Sequence, residues 1–178
     1  MAKVLVIRLS AIGDVAMTVP VIYSAAKANP EDSFTVLTQA FLMPLFMNRP
    51  PNVEVIGINT KGAEKGLIGL LKFISALLKF DFDVILDLHN VIRTIIICTF
   101  FRLNGKRVFV LDKARKERKR LTAIKGKRLY PLRPVIVRYA DVFRAAGLNY
   151  TETFTSLYEE FPVSYTHLRA HETDSYLV

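Results

Sequence analysis

The sequence predicts an α/β domain organised on a doubly wound parallel sheet. Three observations carry the prediction. Short runs of leucine and β-branched residues recur along the chain, and each is followed by a stretch with helical spacing. The first run, Lys3 to Leu9, reads as a strand buried on both faces rather than as an alternating surface strand. It ends in a tight Ser-Ala-Ile-Gly turn that delivers an acid, Asp14, to the start of a helix. At that turn Ser10 can cap the helix, and Gly13 permits a positive φ or the close approach of another group.

The remaining elements follow in order. Asp14 to Ala28 has helical spacing, with Pro20 implying a kink or a short break. Ser33 to Thr38 is a second strand, followed by a short helix near Ala40 to Met47. Pro50 and Pro51 mark a loop before a third strand, Val53 to Ile58. Leu67 to Phe80 is an amphipathic helix with two lysines on its wet face, and Asp83 to Leu88 is a fourth strand. Val91 to Leu103 is a strongly apolar helix, and Lys106 to Val110 a fifth strand. A basic segment, part loop and part helix, then leads to a helix over Val135 to Ala146 that stops at Gly147. Strand and helix alternate throughout, which is the Rossmann-like pattern.

The chain has 178 residues, enough for one such domain with a real core and short for two. Hydrophobic residues make up 51% of it, yet no apolar run reaches the roughly 18 to 20 uncharged residues that a spanning helix needs. The N-terminal stretch carries Lys3 and Arg8 and does not resemble a secretory signal. The single cysteine, Cys98, lies in an apolar run and reads as a buried structural thiol; with no disulfide framework possible, a cytoplasmic location is expected. The net charge of +9 is concentrated: Arg102 to Arg138 holds 14 basic and two acidic residues, and the rest of the chain is slightly acidic. Its clusters are KARKERKR (Lys113 to Arg120) and KGKR (Lys125 to Arg128). A polyanionic partner is expected.

RLSAIGDV (Arg8 to Val15), with Thr18 to Pro20 close behind, resembles the N-terminal signature of the ADP-heptose:lipopolysaccharide heptosyltransferases, inverting glycosyltransferases of family nine. The resemblance continues through Ala25 to Thr38, Phe82 to Thr94 and Arg138 to Gly147, and so covers nearly all of Met1 to Phe161. It implies a two-domain glycosyltransferase B-type fold, of which residues 1–162 would be the N-terminal, acceptor-binding half. ADP-heptose would be the donor substrate, with most donor contacts in a second domain, and no cofactor or metal ligand set is implied. The acceptor would be a phosphorylated, carboxylate-bearing glycolipid, the lipopolysaccharide inner core, on the cytoplasmic face of the inner membrane. Alone, such a half would fold without turning over.

Two constellations follow. The resemblance implies that Asp14 is the general base that takes the acceptor's proton; from the residues alone, a helix cap is an equal reading. A helix start stabilises the carboxylate and so lowers its basicity, which leaves position as the source of any catalytic role. The second constellation is DLHNVIRT, Asp87 to Thr94. Asp87 and His89 fall on alternate strand positions, and Arg93 in the first turn of the next helix. In a doubly wound sheet this edge lies beside the Asp14 turn. Arg8, Ser10, Gly13, His89, Asn90 and Arg93 are therefore the substrate-binding candidates, with Arg93 suited to a phosphate or carboxylate. A structural Asp87–Arg93 pair, with His89 a satisfied partner at the strand end, is the alternative. Lys113, Arg115, Lys116, Arg118, Lys119 and Arg120 are candidates for holding anionic groups and the membrane surface.

A rival reading is a nucleic-acid-binding module using segment 102–138, although poor aromatic interleaving there argues against single-strand stacking and no specific nucleic acid is expected. A dinucleotide-binding dehydrogenase is disfavoured because the first turn lacks G-x-G-x-x-G. Finally, VSYTHLRAHET (Val163 to Thr173) resembles a translated sequencing-library adapter. Val163 to Val178 is expected to be non-native, with the natural protein continuing past Pro162 and with no metal site at His167, His171 and Glu172.

Overall fold

The computed structural model describes residues 1–60, 62, 66–122 and 131–157. The KGKR cluster and the adapter-like tail lie outside the described residues. Five strands, β1 (Lys3–Ile7), β2 (Ser33–Gln39), β3 (Val53–Ile58), β4 (Val84–Asp87) and β5 (Arg107–Val110), form one parallel sheet in the order β3-β2-β1-β4-β5. β1 pairs with both β2 and β4, so the chain reverses its winding direction at the β1/β4 junction. This is the doubly wound, Rossmann-like arrangement expected of the sequence.

Strand alternation divides the core in two. Val4, Val6, Phe34, Val36, Val84 and Leu86 face one layer, completed by α1 (Ile12–Ala16), α2 (Val19–Ala28), the 3-10 helix Ala40–Phe46 and α6 (Val135–Ala145). Leu5, Ile7, Leu37, Ile58 and Ile85 face the other, covered by α3 (Gly66–Leu78) and α4 (Ile92–Leu103). A strand with apolar side chains on both faces is fully buried only in such a sandwich, which is why β1 reads as a continuous apolar run.

Pro20 breaks the first helical stretch. It sits in the first turn of α2, where its missing N–H costs nothing, and the Thr18 hydroxyl donates to Val15 O at 2.6 Å across the break. Gly147, with φ of 85°, ends α6 in a Schellman motif: its N–H bonds Arg144 O, and Leu148 N–H bonds Phe143 O. Gly105 closes α4 in the same way, through Arg102 O and the Lys106 to Phe101 bond. Residues 149–157 then fold back along α2. Ser24 Oγ accepts the Thr153 and Phe154 N–H groups, and Phe154 packs edge-on against Tyr23.

Three local expectations are corrected. β1 ends at Ile7, two residues early, although Arg8 N–H still bonds Leu37 O and Leu88 N–H bonds Ile7 O. Ser10 does not cap α1; Ala11 occupies that position and makes no side-chain bond. β4 ends at Asp87, so His89 sits in the following loop rather than on the strand.

Candidate functional site

Arg8 organises the carboxyl edge of the sheet. Just beyond β1 and beside Leu88, its side chain is nearly buried, and a buried guanidinium must find partners. NH1 donates to Leu88 O at 2.6 Å, NH2 pairs with Asp14 Oδ2, and the guanidinium carbon lies 5.9 Å from the Tyr139 ring centre. Asp14, the third residue of α1, is thereby fixed through one oxygen while 41% of its side chain stays open to solvent. Gly13 lies inside α1 without a positive φ. A Cβ there would meet nothing within 4 Å, so of the two uses expected of it, only an open approach to the backbone remains.

The loop after β4 brings the second constellation to the same place. Asp87, fully buried, accepts from His89 N at 2.9 Å, Asn90 N at 2.8 Å and the Thr94 hydroxyl at 2.8 Å. Thr94 Oγ1 also accepts from Val91 N at 3.0 Å, which is half of a capping box because valine has no side-chain oxygen to return. Asp87 is therefore the structural post of this loop. Asn90 adopts a left-handed φ of 51° and donates to Leu111 O at 3.0 Å, tying the loop to the end of β5. Arg93 falls in the first turn of α4, half-buried.

His89 Nε2 stands 3.4 Å from Ser10 Oγ, joining the two turns. Burial, reinforced by the positive charges of Arg8 and Lys113 against the pull of Asp87 and Asp14, drops the His89 pKa to about 4. The imidazole is neutral at pH 7. Three buried polar atoms here have no hydrogen-bond partner: Arg8 Nε, His89 Nδ1 and the Tyr139 hydroxyl. Burial raises the Tyr139 pKa, with Arg8 lowering and Asp14 raising it.

The basic segment divides. α5 (Arg115–Leu121) buries nothing, and Arg115, Lys116, Arg118, Lys119 and Arg120 are exposed. Lys113 is half-buried instead. Burial lowers its pKa, as do Arg115 and Arg8, while Asp87 and Asp14 raise it. It lines a surface concavity of about 420 Å³ with Asn90, Asp112, Arg115 and Lys116. Lys113 thus connects the α5 charges to the crevice, which its place in a run of cations had not distinguished. Tyr139 was missed altogether, because on α6 it reads as one more core aromatic.

Fold and site together define a Rossmann-like domain with a polar crevice at its topological switch point, where open α/β sheets take ligands. No protein-family model matches the chain, and no curated protein does. Among solved structures it is similar to a family nine glycosyltransferase of Veillonella parvula, with a TM-score of 0.61 at 22% identity over 87% of this chain and 44% of that one. It is also similar to the E. coli heptosyltransferase WaaC with ADP, with a TM-score of 0.57 at 22% identity over 86% of this chain and 49% of that one. WaaC with ADP-2-deoxy-2-fluoro heptose gives 0.57 at 21% identity over 86% and 50%. The likeness is one of fold, and the chain spans about half the length of these proteins. They are glycosyltransferases of the kind that the RLSAIGDV motif resembles.

Proposed function

We propose that this domain is the acceptor-binding half of an inverting glycosyltransferase that moves a heptose from ADP-heptose to an anionic lipopolysaccharide inner core. The observation that carries the reading is the Arg8–Asp14 pair: a carboxylate held by a buried guanidinium at the switch point, with one oxygen engaged and one open. Arg8 fixes the direction of Asp14, and Oδ1 would take the acceptor's hydroxyl proton as that oxygen bonds to the anomeric carbon. The sugar's bond to the diphosphate breaks with its electron pair leaving on the diphosphate. Position within hydrogen-bond reach of the hydroxyl is what the geometry contributes, since the ion pair with Arg8 fixes where the carboxylate points.

Neutral His89 and the unpartnered atoms of Arg8 and Tyr139 offer bonds that a hydroxyl-rich ligand would complete. Arg93 and Lys113 would hold the acceptor's phosphate or carboxylate groups, and the α5 cations would favour an anionic membrane surface on the cytoplasmic side. Calorimetric titration with the delipidated, phosphorylated inner-core oligosaccharide tests the reading. Arg93→Ala and Lys113→Ala should each weaken binding about tenfold, the loss of one charge-assisted contact. Salt-sensitive binding of duplex DNA, unaffected by both changes and unaccompanied by oligosaccharide binding, would instead favour a nucleic-acid module.

A further inference from the structure

We infer that the carboxyl edge of this sheet docks on an anionic lipid bilayer, with the first turns of α3 inserting apolar side chains at the headgroup boundary while the α5 cations lie on the surface. The inference rests on the proposed lipid-linked acceptor for its purpose, and on the following geometry for its place.

α3 buries Leu70, Ile74 and Leu77, a stripe at helical spacing that already docks it on the sheet. Its remaining faces at that end ought to be polar, yet Leu67 is 60% exposed, Ile68 74% and Leu71 39%. Ile68 lies almost opposite the buried stripe, so no internal packing accounts for it. α4, which contacts α3, begins with Ile92, 80% exposed, and α1 begins with Ile12, 58% exposed. Each of these helices starts after the carboxyl end of a parallel strand, so the topology sends all three apolar tips to one edge. That edge also holds the Asp14 crevice.

Charge selects the occupant. α5 begins after β5 at the same edge and presents five exposed cations among the six residues Arg115 to Arg120. Protein interfaces deplete charge from their apolar centres, whereas leucine and isoleucine beside exposed lysine and arginine suit a headgroup boundary. Lys72, exposed on the outer side of α3 one turn after Ile68, can extend its head toward the same surface. Among the described residues no helix is long and apolar enough to cross a membrane, so the mode is insertion at the interface.

Flotation of the full chain with vesicles of phosphatidylcholine containing a quarter phosphatidylglycerol, and with phosphatidylcholine alone, tests this. The chain should float with the anionic vesicles and hardly with the neutral ones, and part of the binding should persist at about 0.5 M salt, where surface charges are screened. Leu67→Ser/Ile68→Ser should weaken partitioning at least about tenfold and remove the salt-resistant part. Ile68→Asp, at the more exposed position, is the second variant should the double one misfold. Equal flotation of the variants and the unsubstituted chain overturns the inference, as does complete release of the unsubstituted chain by salt. A lipid-free dimer dissolved by Ile68→Asp would overturn it too, since the tips would then serve a second copy. Asp14→Ala should leave flotation unchanged, and the α3 variants should bind the delipidated oligosaccharide normally. Failure of oligosaccharide binding with flotation intact would therefore refute the acceptor reading alone.

Discussion

Arg8 binds Leu88 O and Asp14 while lying against Tyr139, so its removal strips three partners at once. Arg8→Ala should cost about 2 to 3 kcal/mol in urea unfolding, and Asp14→Ala only about 1 kcal/mol because its carboxylate is part-solvated. Stability should also follow His89. Its folded pKa is about 4 against an ordinary 6.5, so between those values the unfolded chain binds more protons than the folded one. The His89 contribution is fully present above pH 6.5 and is lost as pH falls through the window toward 4. His89→Gln should flatten that part of a pH-stability profile. Arg8, Asp14 and Arg93 were legible as candidates because a charged residue at a strand end or helix start has few bland uses. Tyr139 was not, because its approach to Arg8 depends on how α6 packs against α2 and β5.

At the level of elements, the β4–α4 junction is the best-defined joint of the site. Asp87 and Thr94 hold its loop from below, and Thr94→Val, which keeps the shape but removes the hydroxyl, should cost about 1 to 2 kcal/mol in denaturant unfolding. β3 is constrained by packing instead. A Cβ at Gly57 would come within 2.6 Å of Met43 Sδ and 2.8 Å of Ala40 Cα, and the second is backbone that cannot step aside cheaply. Gly57→Ala should therefore destabilise by about 1 to 3 kcal/mol despite glycine's poor strand propensity. The helix break at Pro20 and the stop at Gly147 were readable because proline and glycine impose local backbone rules that packing rarely overrides. The Ser10 cap failed for the opposite reason: α1 begins one residue later, and Ser10 Oγ faces His89 in the neighbouring turn. The distinction between Lys113 and the α5 cations was likewise invisible in sequence, where all six stand in one run.

For the whole molecule, the order of strands is what makes a site of two distant motifs. β1 and β4 are neighbours only because the chain reverses direction between β3 and β4, and that reversal sets the Asp14 turn beside the His89 loop. Alternation of strands and helices allowed this order to be expected, while the contacts across the crevice required the fold itself. The buried Cys98, its thiol pushed up to about 12 by burial and by Asp87, belongs to the apolar layer under α4. It should react with thiol reagents only at the rate of unfolding. The central claim is that one ligand bridges the two turns at the switch point. Amide NMR during titration with the delipidated inner-core oligosaccharide measures this most directly: residues 8–14 and 89–93 should shift together with one dissociation constant. Shifts confined to residues 113–120, with the two turns silent, would contradict it.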